Sequence, residues 1–339
     1  MTRACSVVFR VDESVQIGWG HMSRCRALAE ALMAAGAQVS FYCRDVSVDT
    51  KSALQRRGIR VVELRGEEAF LGRDWSREIV VVDGYQFDED FWRRLLEAHP
   101  WRTVCIDDLR GVRYVADLVI CYNEGVDAAQ FHLAPGTRLL LGGRYLLLRP
   151  EIHEAARLTD RPTPRRAVML ATGGTRQERW VIDMLAHLSR VDQRAMLWVL
   201  SGRPLPAGKI ARRVGLCPGR VRFFSGLEPS EMLRLYRRAR YLVAPASTVM
   251  LEAFSAGCPL ISGWVSENQR NSLGFYGRQG LIVNVGDLRR ITHGGLIQAI
   301  GCVQREGGRM IRRQRAYIAA AQTGMEDIVR AVLTRDNVS

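Results

Sequence analysis

The sequence predicts an α/β protein made of two Rossmann-like parallel-sheet domains that face a cleft. Strand-like apolar runs alternate with helix-like runs along most of the chain, which is typical of parallel sheets with crossover helices. The 339 residues exceed what a single ordinary hydrophobic core requires. A proline- and charge-rich stretch, LTDRPTPRR, interrupts the alternation and is the predicted linker, residues 158–166.

The first domain is predicted to span residues 1–157. Its predicted strands are SVVFRVD, AQVSFYCRD, IRVVEL, EIVVVDGY, RTVCIDDL and ADLVICYN, and its predicted helices are HMSRCRALAEALMAAG, TKSALQRRG and DEDFWRRLLEAH. Several strands end in an acid or amide: Asp12, Asp83, Asp107 and Asn123. Ligands of open parallel sheets lie beyond the carboxyl ends of the strands, so these residues mark a candidate site.

The second domain is predicted to span residues 167–339. Its predicted strands are AVMLATGG, RAMLWVLSG, RVRFFSGL, YLVAPAS and CPLISGWV. The helix PSEMLRLYRRA opens with Pro229 near its first turn, and TVMLEAFSAG is closed by Gly257. The C-terminal segment predicts one helix in GGLIQAIGCVQREG and one or two more after it.

Composition narrows the range of partners. The net charge is +14, and nearly all of the positive charge is arginine, because Lys51 and Lys209 are the only lysines. The arginines are dispersed and no nucleic-acid motif accompanies them, so we expect no nucleic-acid partner. No run of 18 apolar residues predicts a membrane span, and the N-terminus lacks the pattern of a signal peptide.

The cysteines predict a reducing compartment. All eight are scattered without CxxC pairs, which favours reduced thiols and a cytoplasmic location. Cys25, Cys105, Cys121 and Cys258 lie in apolar surroundings typical of core residues. The sequence leaves the oligomeric state open, with a monomer as the expectation.

The stretch QIGWGHMSRCRALAEAL is the first candidate motif. Gly18 and Gly20 let the chain pass close to a bound group, and His21 falls at the start of a helix, whose free N–H groups favour an anion. The positive electrostatic potential of these N–H groups also favours a neutral histidine that can act as a base. The alternative is a tight turn followed by a helix cap.

Two further motifs lie in the second domain. Gly173 and Gly174 are predicted to form a glycine turn between a strand and a helix. Such a turn, like the first, could bind phosphate groups at the helix start. Ser247 and Thr248 begin a helix, and Glu252 lies one turn later, where an acid could bind a ribose diol. The alternative for the second motif is an N-cap followed by a solvated glutamate.

Other polar residues follow strands. Asn268 and Gln269 could hydrogen-bond sugar hydroxyl or acetamido groups, or form an ordinary loop. Asp83 and Tyr85 end a strand of the first domain and are expected at the same cleft. Asp107 and Asp108 lack the ligand spacing of a metal site, so we expect neither a metal nor another cofactor.

These motifs together resemble a known family. FRVDESVQIGWGHMSRCRALAEAL is similar to the opening of the UDP-2,4-diacetamido-2,4,6-trideoxy-β-L-altropyranose hydrolases of pseudaminic acid biosynthesis, in its R-x-D…G-x-G-H-x-x-R form. VVDGYQFD, CIDDL, ADLVICYN, LLGGRYLLLRPE, ATGG, FFSGL, STVMLE and ENQ match in the same order. The resemblance covers residues from about 6 to 285. It implies a two-lobed fold of the glycosyltransferase-B superfamily.

The resemblance also implies residue roles. His21, Tyr85 and Asn268 would be catalytic. The implied substrate-binding residues are Asp12, Gly18, Gly20, Arg24, Asp83, Gly173, Gly174, Ser247, Thr248, Glu252 and Gln269. Two departures touch the nucleotide side: the chain has APAST where the family has a glycine-rich approach, and GGTR where it has G-G-S-D.

The implied reaction is hydrolysis of a UDP-sugar by attack of water on the anomeric carbon, with inversion, in nonulosonic acid biosynthesis. One alternative is a glycosyltransferase of the same fold that uses a UDP-sugar donor, because fold alone does not decide between the two. The other is a nucleotide-sugar-binding protein without catalysis. The position of His21 in its motif argues against the last.

Overall fold

The computed structural model describes residues 5–13, 20–107, 109, 112–150, 152, 164–172, 178–202 and 204–334. The chain divides into two compact units. Unit 1 comprises Met1–Pro150 and Ala321–Ser339, and unit 2 comprises Glu151–Ala320. Each unit has its own parallel sheet with helices, which confirms the predicted α/β class.

Unit 1 is built on a seven-stranded parallel sheet. Its strands are β1 (Ser6–Val11), β2 (Gln38–Cys43), β3 (Arg60–Glu63), β4 (Glu78–Asp83), β5 (Arg102–Ile106), β7 (Leu118–Cys121) and β9 (Arg138–Leu141). They lie in the order β3-β2-β1-β4-β5-β7-β9. The short strands β6 (Arg113–Tyr114) and β8 (His132–Leu133) form a separate parallel pair.

Both faces of this sheet are buried. Successive side chains of a strand point to opposite faces, so Val7, Phe9 and Val11 join one core cluster and Val8 joins the other. Phe9 of β1 stacks on Phe41 of β2 with ring centroids 4.8 Å apart. Burial on two faces explains why these strands are continuous apolar runs.

Helices follow the strands as the sequence predicts. Those of unit 1 are α1 (Gly20–Ala34), Val48–Gln55, Glu68–Leu71 and Glu89–Glu97. Asp88 caps the last of these, because its side chain accepts a hydrogen bond from the Phe91 backbone N–H at 2.9 Å. Short 3-10 turns lie at Ala128–Gln130 and Gly143–Tyr145.

Unit 2 repeats this organisation with six parallel strands. They are β10 (Ala167–Ala171), β11 (Met196–Ser201), β12 (Val221–Ser225), β13 (Ala239–Pro245), β14 (Leu260–Trp264) and β15 (Val283–Asp287). Their order is β12-β11-β10-β13-β14-β15. The helices of this unit are Glu178–Val191, Ala207–Val214, Pro229–Arg238, Thr248–Ser255, Arg270–Arg278 and most of His293–Leu333.

The C-terminal segment differs from the sequence-based expectation. It forms one helix, His293–Leu333, rather than two or three. The sequence assigns all of residues 167–339 to the second domain, but Ala321–Ser339 groups with unit 1. The reason is packing, because Ile328, Ala331 and Val332 lie in the same core cluster as Phe9. Apolar periodicity predicts a helix but not the sheet that it covers.

In the part of the chain that the structure describes, no helix is both long enough and apolar enough to cross a membrane.

Candidate active site

The candidate site of unit 1 lies where the strand order reverses. β1 has β2 on one side and β4 on the other, so the connections that leave β1 and β4 run in opposite directions. β1 and β4 end at the same level, with Val11 paired to Asp83. Open α/β sheets bind ligands at this kind of switch point, beyond the carboxyl ends of the strands.

His21 and Asp83 meet at this point. His21 is the second residue of α1, and its Nδ1 lies 2.6 Å from an Asp83 carboxylate oxygen, although the two residues are 62 positions apart. The Arg24 Nη2 donor also lies near Nδ1, at 3.0 Å, but the carboxylate contact is shorter. Because an ionised carboxylate only accepts hydrogen bonds, this shorter contact favours the tautomer with the proton on Nδ1. Nε2 then carries the lone pair, which makes His21 a base with a fixed tautomer.

Arg24 completes the contact. Its Nε and Nη2 each donate to a different oxygen of Asp83, both at 2.6 Å, and its Nη1 donates to the Tyr122 hydroxyl at 3.2 Å. The Cys25 thiol donates to Asp83 at 3.2 Å. His21, Arg24 and Cys25 lie at helical positions i, i+3 and i+4, so one face of α1 presents all three to a single carboxylate.

Burial makes this cluster electrostatically strong. Asp83 is 1% exposed, His21 3% and Arg24 3%. Burial alone would raise the pKa of Asp83, but the charge of Arg24 and the hydrogen bonds from Arg24 and His21 hold that pKa well below its usual range. Burial and the nearby Asp83 charge raise the pKa of the Cys25 thiol, which therefore remains a hydrogen-bond donor.

The sequence-based expectation that Asp83 and Arg24 contact substrate stays a prediction. In the structure the two residues contact each other, and Asp83 contacts His21. Cys25 is expected to be an ordinary core residue, and it also contacts the carboxylate. Its spacing of four residues from His21 is the sequence signal that could have indicated this contact.

Tyr85 lies against the histidine. The two ring centroids are 4.5 Å apart and the planes are at 84°, an edge-to-face arrangement. Tyr85 is 44% exposed, in contrast to the buried His21. The structure thus brings together the predicted residues His21, Arg24, Asp83 and Tyr85.

Asp12 belongs to a separate network. Its carboxylate accepts two hydrogen bonds from the buried Arg10, both at 2.8 Å, and one from the Arg44 backbone N–H at 2.6 Å. Arg10 also donates to Glu67. Burial opposes ionisation of Asp12, but Arg10 lowers its pKa below the ordinary value. The substrate-binding role of Asp12 stays a prediction, and in the structure its carboxylate pairs with Arg10.

Three predicted glycines, Gly18, Gly173 and Gly174, lie outside the described residues, as does Asp108. Gly20 is described and is the first residue of α1. Asp107 accepts hydrogen bonds from the Tyr114 hydroxyl and from the Leu109 backbone N–H. Within the described ranges, no group of three or more His, Cys, Asp or Glu side chains could hold a metal ion.

The candidate site of unit 2 lies at the equivalent point of its own sheet. β10 has β11 on one side and β13 on the other, and Ser247 and Thr248 follow the end of β13. Ser247 occupies the N-cap position of the helix Thr248–Ser255 without a side-chain capping bond. Its Oγ is buried and has no hydrogen-bond partner among the described residues.

Glu252 is not on a solvated face. It is 5% exposed, and its carboxylate accepts a hydrogen bond from the Tyr236 hydroxyl at 3.5 Å. A buried acid one turn after a helix start is costly unless it has hydrogen-bond partners. The alternative of an exposed, solvated glutamate therefore does not apply.

Asn268 and Gln269 lie on the 3-10 turn Glu267–Gln269 that follows β14. The Gln269 side-chain oxygen accepts from the Val265 backbone N–H at 2.9 Å, and the Asn268 side-chain oxygen accepts from the Ser266 hydroxyl at 2.7 Å. These bonds occupy the side-chain oxygens of the two amides, whose NH₂ groups are hydrogen-bond donors.

No family model and no curated protein matches the chain. Solved structures do. MurG from Acinetobacter baumannii is 13% identical, with a TM-score of 0.60 over 96% of this chain and 99% of that one. A glycosyltransferase from Rickettsia africae is 10% identical, with a TM-score of 0.67 over 98% and 100%.

A third structure is a UDP-glucosyltransferase from Polygonum tinctorium that is capable of glucosylating indoxyl. It is 14% identical, with a TM-score of 0.63 over 98% of this chain and 99% of that one. These similarities show that the chain has a glycosyltransferase-B-like fold. The finer resemblance to UDP-sugar hydrolases rests on the sequence motifs alone.

Proposed function

We propose that this protein is an enzyme that transfers the glycosyl group of a UDP-sugar, with His21 as the general base. The observation that carries this proposal is the contact between His21 Nδ1 and Asp83 at 2.6 Å. A carboxylate that fixes the Nδ1–H tautomer leaves Nε2 able to accept a proton, and it stabilises the imidazolium that forms.

In the proposed step, a hydroxyl oxygen attacks the anomeric carbon while its proton moves to His21 Nε2. The bond between the anomeric carbon and the diphosphate oxygen breaks, and UDP leaves with the electron pair. One displacement inverts the anomeric centre once. Asp83 is buried and bonded to Arg24 and His21, which argues against a role as a covalent nucleophile.

The residues of unit 2 are proposed to bind UDP. Ser247 and Thr248 stand at a helix start, where backbone N–H groups and hydroxyls suit a diphosphate. The buried Oγ of Ser247, which has no hydrogen-bond partner in the described part of the chain, supports this assignment. Glu252 would bind the ribose diol, and Asn268 and Gln269 would donate to the sugar. Gly173 and Gly174 remain proposed diphosphate contacts.

An acceptor hydroxyl is the first candidate nucleophile. Two of the matched solved structures named above are a glycosyltransferase and a UDP-glucosyltransferase. In this reading His21 deprotonates a hydroxyl of a second substrate, and the sugar is transferred to it.

Water is the second candidate, and two observations favour it. The ordered motifs from FRVDESVQIGWGHMSR to ENQ resemble hydrolases of a UDP-diacetamido-trideoxyhexose. His21 is also only 3% exposed and has the Tyr85 ring beside it, which favours a small nucleophile. This reading places the enzyme in nonulosonic acid biosynthesis.

One experiment tests both candidates. The purified protein is incubated with a panel of UDP-sugars, including diacetamido-trideoxyhexoses, and UDP release is measured with and without acceptor alcohols. UDP release in water alone supports hydrolysis, and release that requires an acceptor supports transfer. If the protein releases UDP from no member of the panel under either condition, the proposed function is wrong.

A further inference from the structure

The segment Gly84–Phe87 follows β4 directly and carries Tyr85 to His21. Tyr85 is 44% exposed, so its own burial does not fix its position. The two residues that follow it, Gln86 and Phe87, both contact the Arg10–Asp12 network. These contacts connect the segment that carries Tyr85 to residues outside the His21 cluster.

Gln86 makes the first contact. Its side-chain N–H donates to the Asp12 carboxylate at 3.0 Å. Asp12 is itself rigidly held, because Arg10 donates to both of its oxygens at 2.8 Å and the Arg44 backbone N–H donates at 2.6 Å. A hydrogen bond to an ionised and immobile carboxylate is a strong anchor for an exposed side chain.

Phe87 makes the second contact. The Arg10 guanidinium carbon lies 4.9 Å from the centre of the Phe87 ring, and Phe87 is 6% exposed. The chain turns tightly before these residues, since a Cβ on Gly84 would lie 2.5 Å from the Gln86 side-chain oxygen and 2.8 Å from the Phe87 ring. A larger residue at position 84 would therefore force the side chains of Gln86 and Phe87 to shift.

We propose that Gln86 is a positioning residue that, through Asp12 and Arg10, holds Tyr85 edge-on against His21. The proposal rests on the proposed function, in which His21 is the base. A base works efficiently only when its lone pair is aimed at the nucleophile, and small displacements cost large factors in rate. The Arg10–Asp12 pair thus supports the reaction at a distance, without contact with substrate.

The test is a spectroscopic comparison that does not depend on turnover. The C–H resonances of His21 are identified among the six histidines by their loss in His21→Ala. Tyr85→Ala gives the resonance position without the ring current of the tyrosine. Gln86→Leu, which removes the amide donor but keeps a side chain of similar bulk, should shift the His21 resonance towards that position.

Gln130→Leu is the matched control, because Gln130 is an exposed glutamine on the 3-10 turn Ala128–Gln130. It should leave the resonance unchanged. Gln86→Asn is a second variant, which guards against misfolding of Gln86→Leu. A His21 resonance that stays at the wild-type position in both Gln86 variants, or that does not respond to Tyr85→Ala, would overturn the proposal.

Kinetics separates this proposal from the proposed function. Gln86→Leu should lower kcat about tenfold and change KM by less than about threefold, because alignment of the base is lost and binding is kept. A wild-type protein that turns over no UDP-sugar would contradict the proposed function, while a shifted His21 resonance would still support the anchor. A KM effect with unchanged kcat would contradict the positioning role.

Discussion

The Asp83 carboxylate accepts hydrogen bonds from both His21 Nδ1 and the Arg24 guanidinium, each at 2.6 Å. A single buried carboxylate therefore orients the His21 imidazole and neutralises the Arg24 guanidinium. This arrangement fixes the tautomer of His21 without occupying Nε2.

Replacement of His21 should act on the chemical step. His21→Ala is expected to lower kcat for UDP release by about 10²–10⁴-fold, because no other group replaces the base. It should also lower the free energy of unfolding by about 1–3 kcal/mol, since a buried hydrogen-bonded side chain is lost. Steady-state kinetics and thermal unfolding measure the two effects.

His132→Ala is the matched control for that variant, because His132 is an exposed histidine of the same unit. It should change neither kcat nor the unfolding transition. Near-normal turnover by His21→Ala would remove His21 from the mechanism.

Replacement of Asp83 should damage both activity and stability. Asp83→Asn keeps the shape, but its amide N–H would donate to Nδ1 and move the imidazole proton to Nε2, where it blocks the base. We expect a loss of kcat of about 10²–10⁴-fold. Arg24 would lose its buried counter-charge, at a cost of about 3–5 kcal/mol. Steady-state kinetics at low temperature, where the variant stays folded, measures the loss of kcat. Chemical unfolding measures the loss of stability.

The same pair of proteins should differ in their response to acid. The pKa of Asp83 is depressed in the folded state, so its stabilising effect is complete above its unfolded pKa of about 3.9 and is lost as the pH falls towards the folded value. The stability difference between wild type and Asp83→Asn should therefore be constant above about pH 5 and shrink below about pH 4. Unfolding curves measured from above pH 5 to below pH 4 test this expectation. A stability difference that grows in acid would contradict it.

The sequence predicts this site only in part. The apolar runs and their polar ends identify His21, Asp83 and Tyr85 individually, because each ends or follows a strand or begins a helix. Arg24 is implied only by the family resemblance. Their mutual contact depends on the strand order, which places β1 beside β4, and alternation of strands and helices does not determine that order. Asp12 accepts hydrogen bonds from Arg10, and this contact depends on side-chain packing that no short motif encodes.

The C-terminal helix illustrates the same limit. Its apolar periodicity predicts helical structure correctly, but Ile328 and Val332 could pack on either sheet as far as their sequence indicates. The assignment of Ala321–Ser339 to unit 1 follows from tertiary contacts alone. Local patterns thus predict the elements, and long-range packing decides which of them share a core.

Replacement of Glu252 should weaken nucleotide binding if this residue binds the ribose. Glu252→Gln is expected to weaken UDP binding by roughly 1.5–3 kcal/mol, because a charge-assisted hydrogen bond is lost. Isothermal titration calorimetry with UDP measures this change.

Glu306→Gln, an exposed glutamate of the same unit, is the control and should leave UDP affinity unchanged. Tyr236→Phe removes the hydroxyl that donates to Glu252 and separates a structural role from ribose binding. Unchanged UDP affinity in Glu252→Gln, together with lower stability, would assign the acid to the hydrogen bond with Tyr236 alone.

The central claim is that His21 directs a nucleophile to the anomeric carbon of a UDP-sugar. The most direct test uses a UDP-sugar with ¹⁸O in the oxygen that bridges the sugar and the diphosphate, and it follows the label by ³¹P NMR of the released UDP. Attack at carbon leaves the label in UDP, whether the nucleophile is water or an acceptor hydroxyl, and this is the result that we expect. Label recovered in the sugar would show attack at phosphorus and would contradict the account.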